Sequence, residues 1–417
     1  MVLVRFFFQW NLKFSDQKSP VDNDVLLSAG LVGALFFAAR IFDAVTDPVA
    51  GVLTDRWVEK GRKRRGLLLF SFFIPGVALL LLFSPSHSWP SLWRWIAMGS
   101  GMILFFIGYT FYAIPYWSLV DEYAETSEQR LKNSADLGAG ILIATGIVAV
   151  VSPLVIGATN FLQAAIIFAI PSSILMLLPY SADPHLQQPL AVAKQPEGFF
   201  RPLAIALKDR EFVAILVLFC GSQMAFSAIT AAAPFIAEVL LGGTDKDVAK
   251  LMAPLLLTAL PASFLLVRPL RERWNWTWQQ CVVRSCLALA VVYLGSSFLG
   301  QALIGSAMTT AMILFALAGP MVAVILGLEG EAVVESARKQ GDELLGVYFG
   351  CFNLAIKGLN GLSSMIVGLL VSLSHQPGWE TKSVRIMCMV ASAMLILGVV
   401  GYYIARPKAA AQRFPTA

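Results

Sequence analysis

Residues 40–65 read RIFDAVTDPVAGVLTDRWVEKGRKRR, and the first half of this stretch ends a long apolar run. Three charged residues interrupt that run: Arg40, Asp43 and Asp47. A carboxylate at the centre of a bilayer costs about 2.5–3.5 kcal/mol even on lenient insertion scales, so two of them in one helix require a compensating partner. Spacings of three and four residues place all three on one helical face. We therefore expect this face to point into the protein, where a cation is the simplest partner.

The composition places the whole chain in a membrane. The 417 residues have a mean hydropathy of +0.72, and 57% of them are hydrophobic while only 14% are charged. Runs of about twenty apolar residues, each long enough to cross a hydrocarbon core, recur along nearly the full length. The net charge of +5 is spread over short loops, which argues against nucleic-acid binding. The five cysteines form no CxxC pair, so neither a disulfide framework nor a zinc site is indicated.

The order of these runs predicts an all-α polytopic membrane protein with two sets of six helices. The opening MVLVRFFFQW supplies only half of a membrane crossing, so we expect an incomplete first helix and eleven full spans after it. The predicted domains are an N-terminal bundle over residues 1–180, a linker over 181–210, a C-terminal bundle over 211–405 and a tail over 406–417. Two six-helix halves are typical of secondary transporters, whose binding sites lie near the bilayer midplane.

The distribution of basic residues predicts the orientation in the cell membrane. Twenty Lys and Arg residues fall in the loops of one side and seven in the loops of the other. The remaining four lie inside apolar runs, at Arg5, Arg40, Arg284 and Lys357. Positive residues accumulate on the cytoplasmic side, so we expect the central linker and the C-terminus in the cytoplasm.

The motif RxxDAxxDPxxG, followed by Asp55, Arg56 and GRKRR, resembles the second helix and following loop of the glycoside, pentoside and hexuronide cation symporters, the melibiose permease-like branch of the major facilitator superfamily. Three further stretches are similar to that family: IPYWSL at 114–119, LKDREF at 207–212 and GVYFGCFNLAIKGLNG at 346–361. The resemblance implies the major facilitator fold and cation-coupled transport by alternating access.

The resemblance also implies a cation site. It identifies Asp43 and Asp47 as coordinating carboxylates, with hydroxyl ligands from Thr46 and from Thr110 on the fourth helix. Sodium prefers oxygen ligands, and a carboxylate without a cation can instead carry a proton, so sodium and proton remain alternatives. No other cofactor is implied.

Two basic residues are expected to couple cation binding to conformation. The resemblance places Lys357 opposite the cation site, where its ammonium can replace the cation in the empty state. The alternative is a lysine that extends along its stem to the membrane interface. Arg40 has a structural alternative as well, in which it neutralises one aspartate while the other caps or kinks the helix beside Pro48.

Further residues are candidates for gating and for the substrate cavity. Gly51, Asp55 and Arg56 match the superfamily's conserved loop, whose charges can lock one arrangement of the halves and release it in another. The alternative is an ordinary basic cytoplasmic loop. Three aromatic residues of the fourth helix are candidates for the cavity wall, although aromatic residues in a helix more often pack in a core: Tyr112, Tyr116 and Trp117.

The sugar-binding part of the family pattern is mostly missing. The first-helix stretch that would carry an acidic residue is absent, a second acidic position aligns with Ala113, and an arginine position aligns with Asp136. A site that has lost its hydrogen-bonding groups discriminates poorly for hydroxylated ligands, so a less polar cargo is a real alternative.

We therefore predict a cation-coupled symporter for a small solute, sugar-like or glycoside-like by resemblance, acting as a monomer among membrane lipids. One alternative is transport of an amphipathic, lysolipid-type molecule, and another is a non-transporting assembly or receptor protein with this fold. The sequence has no P-loop, HExxH or dinucleotide fingerprint, so we do not expect an enzyme.

Overall fold

We analysed a computed structural model of the chain. It describes residues 2–21, 23–63, 65–122, 127–181, 204, 206–300, 305–340 and 345–407. This part of the chain is helical except for loops and one isolated bridge between Lys18 and Val25. It divides into two compact units, Met1–Gln195 with Thr244–Ala249, and Pro196–Gly243 with Lys250–Ala417. Most of the predicted linker and of the predicted tail lies outside the described residues.

The described part of the first unit up to Ser181 contains eight α-helices and a 3-10 turn, Leu178–Ser181. The α-helices are α1 Val2–Phe8, α2 Asn11–Ser15, α3 Ala29–Glu59, α4 Arg65–Ser71, α5 Ile74–Leu82, α6 Ser91–Glu122, α7 Ser127–Ala158 and α8 Phe161–Leu177. The quoted stretch therefore forms the second half of α3 and the turn into α4. The helix continues through residue 48, so the proline there does not end it.

Seven α-helices are described from Arg210 onwards, mostly in the second unit. They are α9 Arg210–Phe235, α10 Val248–Leu265, α11 Val267–Glu272, α12 Trp278–Ser296, α13 Ala307–Arg338, α14 Leu345–Ser374 and α15 Glu380–Ala405. A π-helical turn, Ile236–Leu240, extends α9, and a 3-10 turn, Asp245–Asp247, precedes α10.

Ten helices of the described part are long and apolar enough to cross a membrane. The span predicted over Asp136 to Gly157 corresponds to α7, of which Ile143–Ala158 is a shorter apolar helix within the described side chains. The chain is thus an integral membrane protein of the predicted all-α class.

Aromatic rings hold the short α1 in the first unit. Phe7 is fully buried, and its ring lies 5.1 Å from the rings of both Phe83 and Phe168. Phe8 stacks on Phe105 at 4.4 Å. These contacts come from Phe83, directly after α5, and from α6 and α8, so they hold the short helix against three other segments of the unit.

Close backbone contact between α9 and α15 organises the second unit. A Cβ added to Gly221 would lie 2.6 Å from the carbonyl oxygen of Met394 and 2.8 Å from the Cα of Gly398. Only glycine therefore fits here, and the two helices approach as closely as small residues allow in membrane proteins.

Candidate functional site

The charged face of α3 points into the first unit, as its spacing predicts. Asp43 is 0% exposed and Arg40 6% exposed. The opposite face of the helix is apolar and exposed, at Ile41, Phe42, Val45, Val49, Val52 and Leu53. A membrane helix with this division places its hydrocarbon against lipid and its charges against protein.

Arg40 and Asp43 form a buried ion pair. The Nη1 of Arg40 donates to Oδ2 of Asp43 at 3.1 Å. The guanidinium carbon also lies 5.2 Å from the ring centre of Phe106 and 5.9 Å from that of Phe36. The structure thus contains an ion pair between Arg40 and one aspartate, as in the structural alternative, whereas the other aspartate, Asp47, lies beside Thr110.

Thr110, on α6, joins the two aspartates. Its buried hydroxyl lies 2.7 Å from Oδ1 of Asp43 and 3.2 Å from Oδ1 of Asp47, both within hydrogen-bonding distance. Asp47 is partly exposed whereas Asp43 is completely buried. Two carboxylates and one hydroxyl from two helices thus converge on one point.

Thr46 is oriented differently. Its hydroxyl donates to the backbone carbonyl oxygen of Asp43 at 3.0 Å, one turn earlier in the same helix. Such a bond satisfies the hydroxyl within its own helix, so Thr46 must rotate before it can serve as a ligand.

This arrangement has the chemistry of a site for a hard monovalent cation or a proton. Carboxylate and hydroxyl oxygens are the ligands that hard cations prefer. Within the described residues there is no group of three or more His, Cys, Asp and Glu side chains that could hold a metal ion. The donor set therefore favours a coupling cation over a structural or catalytic transition metal.

The three aromatic candidates of α6 differ in their surroundings. Tyr112 is buried, and its hydroxyl donates to the carbonyl oxygen of Met176 at 2.8 Å, so it is a core residue of the bundle. Tyr116 is half-buried and stacks on Tyr112 at 5.8 Å. Trp117 is 47% exposed. Of the three, Tyr116 and Trp117 have exposed surface.

The candidate gating residues lie at the end of α3. Gly51 has no atom within 4 Å of the position of a Cβ, and Arg56 is exposed. The side chain of Asp55 lies outside the described part. Sequence reasoning missed Trp57, whose Nε1 donates to the carbonyl oxygen of Lys63 at 3.1 Å and whose ring lies 4.5 Å from the guanidinium carbon of Arg62.

Lys357 lies in the second unit, half-buried in the middle of α14. That unit also has a polar pair that the sequence did not single out. The Nε2 of Gln223 on α9 donates to Oε2 of Glu329 on α13 at 2.7 Å. One residue further along α9, the carbonyl oxygen of Met224 accepts from the hydroxyl of Ser363 on α14 at 2.8 Å. Three helices of this unit are therefore joined by hydrogen bonds at one level.

Arg5 is a second missed residue. It lies on α1, and its Nη1 donates to the hydroxyl of Tyr109 at 3.2 Å. Tyr109 directly precedes Thr110 in α6. The only sequence signal for Arg5 was a basic residue within an apolar run.

Comparison with known proteins identifies the family. The model of the family described as MFS/sugar transport protein matches residues 22–400. The chain is 36% identical over 94 residues to the putative glycoside/cation symporter YagG of Escherichia coli (strain K12), which covers 22% of this chain and 20% of that protein. It is 30% identical over 138 residues to the uncharacterized symporter YjmB of Bacillus subtilis (strain 168), 32% of this chain and 30% of that protein. With the lactose permease of Lactobacillus helveticus it shares 27% identity over 135 residues, 31% of this chain and 21% of the permease. The matched segments thus span less than a third of each relative.

Solved structures show the same fold. The nucleoside transporter NupG has a TM-score of 0.65 at 13% identity, with 97% of each chain covered. A bacterial homologue of the human lysosomal transporter Spinster, in an inward-facing and unoccupied conformation, has a TM-score of 0.62 at 14% identity, covering 97% of this chain and 96% of that one. Family and fold are those of membrane transporters and not of enzymes. The chain belongs to the MFS/sugar transport protein family.

Proposed function

We propose that this protein is a cation-coupled symporter that carries a small polar solute, sugar-like or glycoside-like, across the cell membrane by alternating access. The observation that carries the proposal is the meeting of Asp43, Asp47 and Thr110 inside the first unit, at 2.7 and 3.2 Å. The similarity to YagG and YjmB, which are named as symporters, supports it.

The two aspartates have different roles in this proposal. Asp43 is completely buried and paired with Arg40, so its charge is already compensated. Asp47 is partly exposed, so an arriving sodium ion or proton reaches Asp47 first. Thr110 then transmits the change in charge at Asp47 to Asp43, because both carboxylates lie within hydrogen-bonding distance of its hydroxyl. Thr46 completes the ligand set after its side chain rotates.

The remaining expected residues keep their proposed roles. Lys357 couples occupancy to conformation from the second unit, Gly51, Asp55 and Arg56 gate the end of α3, and Tyr116 with Trp117 forms cavity wall. We further propose that the protein works as a monomer, with the central linker and the C-terminus in the cytoplasm. Tyr112 does not belong to the cavity in this proposal, because its hydroxyl is used by the core.

Uptake into proteoliposomes tests the proposal. The purified full chain is reconstituted, and accumulation of labelled lactose, melibiose and a methyl xyloside is followed under an inward sodium gradient and, separately, an inward proton gradient. We expect accumulation under at least one of the two gradients. Asp43→Asn and Asp47→Asn should each reduce it to the level of empty liposomes.

Asp24→Asn is the matched control, because Asp24 precedes α3 in a loop. It should accumulate solute as the unmodified chain does. Accumulation that survives both Asp43→Asn and Asp47→Asn contradicts the coupling site. Competition by a lysolipid but by no sugar would replace the solute class with the amphipathic one, and the absence of any gradient-driven uptake would reject transport.

A further inference from the structure

A basic cavity lies between α12 and α15 of the second unit, where two membrane spans end side by side. Its volume is about 300 Å³, and its lining includes Arg284 of α12 and Arg406, which directly follows α15. The span of α12 begins at Trp278, and that of α15 ends at Ala405. The cavity therefore lies at the level where the hydrocarbon core of a membrane meets the lipid headgroups.

Aromatic rings hold both guanidinium groups at this level. Arg284 lies less than two turns after the start of α12, or about 9 Å along its axis. Its guanidinium carbon is nevertheless 4.0 Å from the ring centre of Trp276, in the loop before the helix. This is the direction in which side chains of a helix tilt. The guanidinium carbon of Arg406 lies 4.6 Å from the ring centre of Tyr403.

Stacking on a ring occupies the flat face of a guanidinium and leaves its N–H edge available. In the part of the chain that the structure describes, neither Arg284 nor Arg406 has a carboxylate within 4.0 Å. The sequence contains no acidic residue after Glu380, whereas two further basic residues, Lys408 and Arg413, follow in the tail. A guanidinium carries five N–H donors in a planar fork that matches the oxygens of a phosphate. The cavity thus has the charge and the donors for a phosphate group.

An exposed apolar strip continues from the cavity along both helices. On α12, Leu287 and Val291 follow Arg284 at helical spacing, and both are exposed. On α15, Ile396 and Val400 lie four residues apart on one face and are exposed as well. A soluble phosphate compound would contact the cavity alone. A lipid would use both features, with its headgroup in the cavity and its acyl chains along the strip.

We propose that Arg284 and Arg406, positioned by Trp276 and Tyr403, bind the phosphate of an anionic phospholipid, with phosphatidylglycerol as the favoured headgroup. Two arginines attract a headgroup of net negative charge, and they repel the cationic end of a choline headgroup. Gln279 also lines the cavity, and its amide is placed to bond a glycerol hydroxyl. The site belongs to the second unit and uses no residue of the proposed cation site.

Lipid binding to the purified full chain tests the inference. Native mass spectrometry of the detergent-solubilised protein measures the affinity for dioleoyl-phosphatidylglycerol and for dioleoyl-phosphatidylcholine. We expect phosphatidylglycerol to bind at least about 5-fold more tightly, and this preference should decrease as salt is added, because the cavity is open to water. Equal affinities for the two lipids would overturn the inference.

A soluble probe distinguishes a lipid site from a site for free phosphate compounds. Glycerol 3-phosphate carries the same phosphate and glycerol but no acyl chains, so it should stabilise the protein against thermal unfolding far less than phosphatidylglycerol does. If it stabilises the protein as much at the same concentration, the cavity binds a soluble phosphate compound and the lipid assignment is wrong.

Variants separate the cavity from a general effect of basic residues near the membrane. Arg284→Gln and Arg406→Gln should each weaken phosphatidylglycerol binding by about 5-fold and leave phosphatidylcholine binding unchanged. Arg284→Lys keeps the charge and should keep most of the affinity, which a misfolded variant would not do. Arg273→Gln is the matched control, because Arg273 is an exposed arginine that directly follows α11 and does not line the cavity.

The control and the double variant decide between the outcomes. Arg273→Gln should bind phosphatidylglycerol as the unmodified chain does. An equal loss in Arg273→Gln, or unchanged binding in the double variant Arg284→Gln with Arg406→Gln, would overturn the inference. These results do not depend on uptake, so the lipid site and the proposed symport can fail separately.

Discussion

The two units of this protein give acids on their long helices opposite kinds of partner. In the first unit Asp43 faces a guanidinium at 3.1 Å. In the second, Glu329 accepts from the neutral amide of Gln223 at 2.7 Å. An amide satisfies an oxygen but cannot balance a negative charge. The first unit therefore pairs its acid with an opposite charge, and the second bonds its acid to a neutral amide that joins two helices.

One cluster of charged residues in the described part of the second unit lies at the end of a helix. Lys339, just after α13, bonds to both Glu211 and Glu335, and the indole of Trp278 donates to Glu335 at 2.6 Å. These groups are partly exposed, so water screens them and each pair is worth less than about 1 kcal/mol. The comparison leads to a hypothesis in which the first unit holds the ion site and the second is stabilised by contacts between its helices. Four substitutions test that division.

The largest effect should come from breaking the ion pair of the first unit. Asp43→Leu leaves Arg40 buried without its partner, which should cost about 3–5 kcal/mol of stability. Thermal unfolding in detergent measures this loss. The double variant Arg40→Met with Asp43→Leu should recover most of the stability, because two well-packed apolar residues replace the pair, but it should recover no gradient-driven uptake. Stability that stays low in the double variant would show that the pair does more than compensate charge.

The next effect should come from the helix contact of the second unit. Gly221→Leu forces a side chain into the backbone of α15 and should lower stability by about 1–3 kcal/mol or prevent folding. Gly330→Leu, at a helical glycine with nothing within 4 Å of its Cβ position, is the matched control and should be tolerated. Equal losses of stability in Gly221→Leu and Gly330→Leu would contradict close packing of α9 against α15 as a source of stability.

Thr110→Val should have an intermediate effect confined to the first unit. The change keeps the shape but removes the hydroxyl that lies between Asp43 and Asp47, so it should cost about 1–3 kcal/mol and weaken cation binding. Thr159→Val removes a hydroxyl that bonds only to nearby backbone oxygens and should leave cation binding unchanged. The measured quantity is the cation concentration that gives half of the maximal increase in the unfolding temperature of each variant. Equal concentrations for Thr110→Val and Thr159→Val would argue against a role for Thr110.

The smallest effect should come from Glu329→Gln in the second unit. The variant keeps an acceptor for Gln223 and removes a buried charge, so stability should change by no more than about 1 kcal/mol. Asp43→Asn, the same chemical change in the first unit, should cost several times as much because it leaves Arg40 without a counter-charge. Unfolding curves of both variants over a range of pH compare the two units directly. A large loss of stability in Glu329→Gln would contradict the difference between the two units.

The fold could be predicted almost entirely from the sequence, because apolar runs in a bilayer have few alternatives to helices. The inward face of α3 followed from the spacing of Arg40, Asp43 and Asp47. The end of α13, by contrast, was not predicted from the sequence. The predicted span stopped at Leu328, whereas the helix continues to Arg338, because partners on α9 and α12 satisfy Glu329 and Glu335. Hydropathy alone cannot detect such partners.

Side-chain roles were predicted less completely than the fold. The family resemblance led to Thr110, but it could not show that Arg40 takes one aspartate or that Thr46 bonds within its own helix. Tyr112 was expected near the cavity because aromatic residues of one helix look alike in sequence. Its hydroxyl instead reaches the backbone of Met176, from a segment 64 residues away. Contacts between distant segments could not be predicted from the sequence, and the contact of Arg5 with Tyr109 is another example.

The hydroxyl of Thr110 has a single hydrogen, although two carboxylates lie within its reach. It can point fully at only one of them at a time, and the shorter distance assigns it to Asp43 in this structure. A proton or an ion that arrives at either carboxylate changes which of the two is the better acceptor. The orientation of the Thr110 hydroxyl should therefore report whether a proton or a cation is bound. The vibrational spectrum of its O–H group should shift when the cation is added, without a movement of the helices.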